Sequence, residues 1–320
     1  MPYSVFVTRH LTSDAEEKLD AFCQTEYWPE ETPPPYEVLL AKTRSVDGLV
    51  CLLTDPIDEQ LIEHAKNLRV ISQVAVGVDN IDLQAAAARG IPVGHTPDLL
   101  TDATADLTFA LILAAARRLG EAIDYAREGH WQTWGLTTLL GEEVCGATLG
   151  IIGMGRIGQA VVKRASGFDM AVLYHNPKPE PDLEQELGAK FTTLPDLLRQ
   201  TDILSLHVPL TPETTGMIGR AQFKLMQPHA ILVNTSRGGV VDTPALVFAL
   251  KNGQIAYAAL DVTDPEPLPP THALYSLPNV IVLPHIGSAT RQARSAMSLL
   301  AVDNLIAGLQ GEPLPKAIWQ

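Results

Sequence analysis

The sequence predicts an α/β protein built from two doubly wound, parallel-sheet units, each resembling a Rossmann domain. Three observations carry that expectation. Short apolar runs alternate with helical stretches, the pattern of crossover-connected parallel strands. The rhythm runs over about the first 95 residues and restarts near 148, and 320 residues leave room for two domains of roughly 100–200 residues each. The restart carries Gly153-Met154-Gly155-Arg156-Ile157-Gly158 between a strand pattern and a helix pattern.

In the first stretch, residues 4–8, 49–53 and 70–76 are apolar strand candidates. Ser13-Asp14-Ala15-Glu16 has the form of a capping box opening a helix towards Cys23. Thr32-Pro33-Pro34-Pro35 is a loop, since consecutive prolines suit neither helix nor central strand. Helices are expected at 58–65 and 85–89, the latter closed by Gly90. Residues 101–122 predict one long helix, apolar on nearly every face and therefore buried, inside the chain or against another subunit. Residues 129–146 hold two tryptophans and four glycines without a period and predict a long loop. Six strands follow, at 149–152, 170–174, 203–206, 231–234, 256–260 and 280–283, with helices between them. A last helix over 290–308 is too long for a strap on that sheet and suits a return to the first domain.

Composition narrows the function. Lys plus Arg is 23 and Asp plus Glu is 37, a formal charge of −14. That balance argues against a dedicated nucleic-acid or polybasic membrane binder, both of which need a positive surface. Cys23, Cys51 and Cys145 are too few and too scattered for a disulfide framework or a metal site, and no bound metal is expected. The start of the chain has no basic segment followed by a long apolar run, and the apolar run 109–116 is far short of the ~20 residues of a bilayer span. A cytoplasmic protein is the expectation.

The glycine turn supplies a binding chemistry. The first glycine permits the tight turn, the second admits a pyrophosphate, and the third lets helix pack on strand. N–H groups at the helix start then face the anion. The second strand ends in Tyr174-His175-Asn176-Pro177-Lys178, with no acid before Glu180. A carboxylate there binds the ribose 2′-hydroxyl of NAD and repels a 2′-phosphate. Its absence favours NADP(H) without excluding NAD(H), with Asn176 as a donor and Lys178 as a charge.

Ligands of such sheets bind beyond the carboxyl ends of the strands. Arg237, Glu266 and His285 fall at or just beyond three such ends. Reducing a 2-keto acid requires a hydride at the carbonyl carbon and a proton at its oxygen. Histidine carries a proton near neutrality, a carboxylate beside it orients the ring and favours imidazolium, and a guanidinium binds the substrate carboxylate. Singly each residue has a bland structural explanation; it is the three together at matching strand ends that point to catalysis. The other histidines suit structural roles, with His207 at a strand end bordering the cofactor.

Segments across nearly the whole chain resemble the D-isomer-specific 2-hydroxyacid dehydrogenases. They are Val76-Gly77-Val78-Asp79-Asn80-Ile81-Asp82, the glycine turn, His207-Val208-Pro209-Leu210-Thr211, Asn234-Thr235-Ser236-Arg237-Gly238, Leu260-Asp261-Val262 and Pro284-His285-Ile286-Gly287-Ser288-Ala289-Thr290. Thr96-Pro97-Asp98-Leu99-Leu100-Thr101-Asp102 and Pro265-Glu266-Pro267-Leu268-Pro269 are similar to the glyoxylate/hydroxypyruvate reductase branch. The resemblance implies a homodimer with a cleft between two domains. The substrate domain, flavodoxin-like and discontinuous, would take residues 1–99 and 289–320, and the dinucleotide-binding domain 100–288. It implies His285 as acid/base, Glu266 as its partner and Arg237 on the substrate carboxylate, with backbone N–H groups of Val76 and Gly77 on the same carboxylate. Ser288 would touch the substrate's hydroxymethyl end, and Trp134 would reach the neighbouring subunit's site. The implied dinucleotide contacts are Thr104, Gly153, Gly155, Arg156, Ile157, Gly158, His175, Asn176, Lys178, His207, Val208, Pro209, Thr214, Thr235, Ser236, Asp261, His285 and Gly287. The implied reaction is NAD(P)H-dependent reduction of glyoxylate or hydroxypyruvate to glycolate or D-glycerate. Two alternatives share the scaffold. A phosphite dehydrogenase has a lysine where this chain has Val76, and a dinucleotide-sensing corepressor can retain the three groups.

Overall fold

The structure, a computed structural model, describes residues 2–319. The chain divides into two compact units, Thr101–Gly287 and a discontinuous unit of the residues up to Leu100 with those from Ser288 onward.

The discontinuous unit holds a parallel sheet of β1 (Tyr3–Val7), β2 (Cys23–Tyr27), β3 (Gly48–Cys51), β4 (Val70–Gln73) and β5 (Val93–Gly94), in the order β2-β1-β3-β4-β5. That is the flavodoxin-like order. The crossovers are α1 (Ser13–Asp20), α2 (Tyr36–Thr43), α3 (Glu59–His64) and α4 (Leu83–Ala88). Alternation along β1 builds both faces: Phe6 joins Leu39, Leu49 and Ile71 on one side, while Val5 and Val7 join Val70 on the other. The second face is covered by the last helix, Arg291–Gln310, through Val302, Leu305 and Leu309. The Ser72 hydroxyl fixes its height by donating to the Ala301 carbonyl at 2.7 Å.

The capping box at Ser13 does not form. Ser13 is already helical and Thr12 is the N-cap. Glu16 reaches further back than a box requires: its Oε1 accepts the Leu11 N–H at 2.9 Å and lies 2.8 Å from His10 Nδ1.

The second unit opens with α5 (Thr101–Ala116) and α6 (Leu119–Arg127). These replace the single helix expected over 101–122. The break carries no proline. Arg118 turns into the left-handed region (φ 51°), where its guanidinium donates to both Glu121 carboxylate oxygens, at 2.9 and 2.6 Å, and to the Leu140 carbonyl at 3.1 Å. The apolar α5 is buried within its own unit, with Leu111, Ile112 and Ala115 in one core with Val161, Val233 and Ala259. Residues 129–146 form no helix or strand.

The sheet follows: β6 (Thr148–Ile152), β7 (Ala171–His175), β8 (Lys190–Phe191), β9 (Ile203–Leu206), β10 (Ile231–Asn234), β11 (Tyr257–Leu260) and β12 (Val280–Val282). All pairings are parallel and the order is β12-β11-β10-β9-β6-β7-β8. Sequence periodicity did not find β8, nor β2 and β5 of the other unit: β5 and β8 are two residues long and make no period, and β2 carries a single buried residue. The order reverses between β6 and β9. β9, β10 and β11 are fully buried, as strands covered on both faces must be. The crossovers are α7 (Arg156–Ala165), α8 (Pro181–Leu187), α9 (Leu194–Gln200), α10 (Arg220–Phe223) and α11 (Thr243–Lys251). The last helix is α12 (Arg291–Gln310). No helix among the described residues is long and apolar enough to cross a membrane.

Candidate active site

The glycine turn joins β6 to α7 at the point where the sheet order reverses. Gly153 has φ +99°, and a Cβ there would lie 2.6 Å from the His207 carbonyl oxygen, so only glycine fits. Gly155 is the N-cap of α7 and brings no side-chain acceptor to the first-turn N–H groups. A Cβ built on Gly155 would meet nothing within 4 Å. An uncapped helix start beside open space on the glycine side is a cradle for an anion, and a dinucleotide pyrophosphate fits it. Arg156, Ile157 and Gly158 form the first turn.

The end of β7 is tied to this turn. The Asn176 Oδ1 accepts the Met154 N–H at 2.8 Å. His175 is pinned through Nδ1, 3.1 Å from the Thr192 carbonyl, and Lys178 is exposed. Beyond β9, His207 Nε2 lies 2.9 Å from the Ser205 hydroxyl. Burial pushes the His207 imidazole down to about 3, so the ring is neutral. Val208 and Pro209 follow, and the Thr214 hydroxyl donates to the Pro209 carbonyl at 2.6 Å, folding this loop on itself.

Beyond β12, His285 stands in the left-handed region (φ 55°), which costs a non-glycine residue about 1–2 kcal/mol. Asp261, just past β11, holds it there. The His285 N–H donates to the Asp261 carbonyl at 3.0 Å, and the two carboxylate oxygens accept the N–H groups of Ile286 (2.7 Å) and Gly287 (2.8 Å). Asp261 is 1% exposed, and burial raises its carboxyl above the ordinary value against the pull of those N–H bonds and of the nearby imidazole. The Thr104 hydroxyl on α5 donates to the Gly287 carbonyl at 3.3 Å, completing the clamp.

The His285 Nδ1 lies 2.5 Å from Glu266 Oε1. The other carboxylate oxygen accepts the Thr263 N–H at 3.3 Å. Both side chains are about three-quarters shielded, 24% and 29% exposed. Arg237 lies past β10, and its Nη1 donates to the Ser236 carbonyl at 2.9 Å. The loops of Arg237 and Glu266 touch through backbone: a Cβ on Gly238 would fall 1.9 Å from the Thr263 carbonyl oxygen. Glu266 and His285 are thus in contact, and Arg237 is one residue from the loop that carries Glu266.

Val76, Gly77 and Ser288 belong to the other unit. The carbonyls of Val76 and Gly77 are engaged there, with His95 Nδ1 at 2.9 Å and as acceptor of Gln73 Nε2 at 3.3 Å. Trp134 is 78% exposed, in the segment between α6 and β6.

Sequence reasoning passed over Asn234 and Thr108. Asn234, 1% exposed at the end of β10, accepts the Ser236 N–H and donates to the Arg237 carbonyl. Thr108, fully buried on α5, has its hydroxyl 2.9 Å from that of Thr235. The signal for Asn234 was present: a polar residue closing an apolar strand needs partners.

A reversing parallel sheet, a glycine cradle and an imidazole–carboxylate pair beside a guanidinium loop define a nicotinamide-dependent dehydrogenase. The family model "D-isomer specific 2-hydroxyacid dehydrogenase, NAD binding domain" matches residues 109–287. The glyoxylate reductase of Thermococcus litoralis is 49% identical, covering 99% of this chain and 97% of its own. Among solved structures, a protein from Thermus thermophilus superposes with TM-score 0.93 at 48% identity, covering 98% of this chain and 99% of its own. The NADPH-dependent glyoxylate/hydroxypyruvate reductase of Sinorhizobium meliloti, solved with NADP and malonate, superposes with TM-score 0.88 at 33% identity, covering 100% and 97%. This chain belongs to the D-isomer-specific 2-hydroxyacid dehydrogenases.

Proposed function

We propose that this protein reduces glyoxylate, and hydroxypyruvate with it, to the corresponding 2-hydroxy acid, with NADPH preferred over NADH. The observation that carries this reading is the 2.5 Å contact between His285 and Glu266 on neighbouring loops of the sheet that also bears the glycine cradle. Similarity to relatives named glyoxylate reductase supports the choice of substrate.

A bound nicotinamide dinucleotide supplies the hydride. Arg237 binds the substrate carboxylate with a guanidinium whose planar donors match two oxygens. Glu266 accepts from His285 Nδ1 and so commits that nitrogen, leaving Nε2–H to protonate the carbonyl oxygen as its carbon is reduced. Imidazolium becomes imidazole in that step, and solvent restores the proton. Val76 and Gly77 are further proposed carboxylate donors through their N–H groups, Ser288 a contact for a hydroxymethyl substituent, and Thr104, Thr235 and Ser236 contacts for the dinucleotide. We place the enzyme in the cytoplasm as a homodimer.

The test is consumption of NADPH on addition of glyoxylate to the purified protein. A fall in absorbance is expected; none at millimolar substrate would favour the dinucleotide-sensing alternative. Preference between the dinucleotides is tested at Asn176. An aspartate there keeps the oxygen that accepts the Met154 N–H and adds a charge that repels a 2′-phosphate. Asn176→Asp should move the ratio of kcat/KM values towards NADH by about tenfold or more, since a like charge within about 4 Å costs roughly 1–4 kcal/mol between water and a protein surface. An unaltered ratio would remove the end of β7 from cofactor selection.

A further inference from the structure

The substrate-binding guanidinium proposed above sits on a loop whose backbone is held by one buried amide. Asn234 closes β10 and is 1% exposed. Its Oδ1 accepts twice from Ser236, from the N–H at 3.0 Å and the hydroxyl at 2.8 Å. Its Nδ2 donates to the Arg237 carbonyl at 2.9 Å. Its own carbonyl accepts the Asp261 N–H at 2.9 Å, which ties the same residue to the end of β11. On the far side of Arg237 the chain is wedged where Gly238 meets the Thr263 carbonyl. Arg237 itself is extended (φ −141°, ψ 140°) between these two fixings.

We propose that Asn234 is a positioning residue for Arg237, its side-chain amide spanning the Ser236–Arg237 backbone so that the guanidinium is aimed at a substrate carboxylate. The amide is suited to this because it donates and accepts at once. Aspartate, of the same shape, keeps both bonds from Ser236 but sets an anion against the Arg237 carbonyl where a donor stood. A carbonyl that loses its donor and faces like charge moves away, and Arg237 moves with it.

The proposal rests on the role given to Arg237, so the experiment separates the two. The full-length wild type, Asn234→Asp, Arg237→Ala and the double variant are compared for kcat, KM for glyoxylate, NADPH affinity and thermal midpoint. Asn234→Asp should raise KM for glyoxylate about tenfold or more, the effect of one displaced charge-assisted contact, with NADPH affinity within about twofold of wild type. In the Arg237→Ala background the same substitution should cost less than about twofold in kcat/KM, because it acts through a group already removed. Equal costs in both backgrounds, or a loss confined to NADPH affinity or thermal midpoint, would overturn the proposal.

Asn234→Ser provides the comparison should the aspartate variant not fold. A serine hydroxyl still accepts the Ser236 N–H but does not span to the Arg237 carbonyl, so KM should rise with NADPH affinity unchanged. An unchanged KM in that variant overturns the proposal equally. Oxamate binding to the protein–NADPH complex, read from NADPH fluorescence, makes the same comparison without turnover. A protein that binds oxamate in an Asn234-dependent way yet does not reduce glyoxylate loses the reductase reading and keeps this one. A wild type that neither binds oxamate nor reduces glyoxylate defeats both.

Discussion

An imidazole that must hand over a proton needs its other nitrogen committed. Glu266 commits the Nδ1 of His285, and Asp261 commits the backbone on which the ring stands. Removing the ring while leaving that frame should isolate its chemistry. His285→Ala is expected to lower kcat by on the order of 10²–10⁴-fold, with NADPH affinity retained. Unchanged turnover would take His285 out of the mechanism. His207 illustrates the opposite use of an imidazole. Its ring is desolvated to about 3 from an ordinary 6.5, so the unfolded chain takes up a proton that the fold refuses. Folding stability is unaffected by this group above 6.5 and falls with pH between 6.5 and about 3, by up to roughly 1.4 kcal/mol per unit. Urea midpoints at pH 7 and pH 5 should therefore separate more for wild type than for His207→Gln. Equal separations would mean that the ring is charged in the fold.

At the scale of elements, the site is made by loops that leave adjacent strands at one edge of the sheet, and it depends on how closely those loops approach. The tightest approach is Gly238 against the carbonyl of Thr263, whose own N–H donates to Glu266. Gly238→Ala puts a carbon inside backbone with nothing flexible to yield. It is expected to destabilise by about 1–3 kcal/mol, as overpacking does, and to lower kcat/KM for glyoxylate by more than it lowers NADPH affinity. Urea unfolding with steady-state rates checks both halves. The strand ends of this site were legible in sequence because each element is an apolar run followed by polar loop residues, and the glycine turn is fixed by local sterics. The frame behind it was not. The Asp261 clamp joins residues far apart in the chain, and the Asn234 amide bonds a turn two and three residues ahead, neither of which periodicity encodes. Two local expectations also yielded to competing side-chain contacts. The capping box at Ser13 lost to a longer reach by Glu16, and the helix expected over 101–122 breaks where Arg118 finds Glu121 and the Leu140 carbonyl.

For the molecule as a whole, the unmet requirement is apolar surface. Leu119, Ile123, Trp131, Trp134, Leu136 and Leu140 are between 46% and 79% exposed and fall within one stretch of chain, residues 119–140. None of the residues of α6 is buried, although its length alternates apolar and charged positions. Soluble monomers rarely leave such surface together in one stretch, and a partner normally covers it. The long apolar helix α5, an expected candidate for a subunit contact, is instead spent on the core of its own unit. For the proposed homodimer the expected interface is therefore α6 and the segment after it, which carries Trp134. Replacing Ile123 and Leu136 together by Glu sets like charges against each other across any symmetric contact made by this face. Sedimentation equilibrium should give about twice 34.6 kDa for the wild type and about 34.6 kDa for the double variant, with the thermal midpoint of each recorded to show that the variant is folded. A folded variant that still sediments as a dimer would place the interface elsewhere, and a monomeric wild type would remove it. If the exposed Trp134 serves the neighbouring copy's site, the monomeric variant also loses glyoxylate reduction while keeping NADPH affinity, because the cradle at Gly155 and the His285–Glu266 pair lie entirely within one chain.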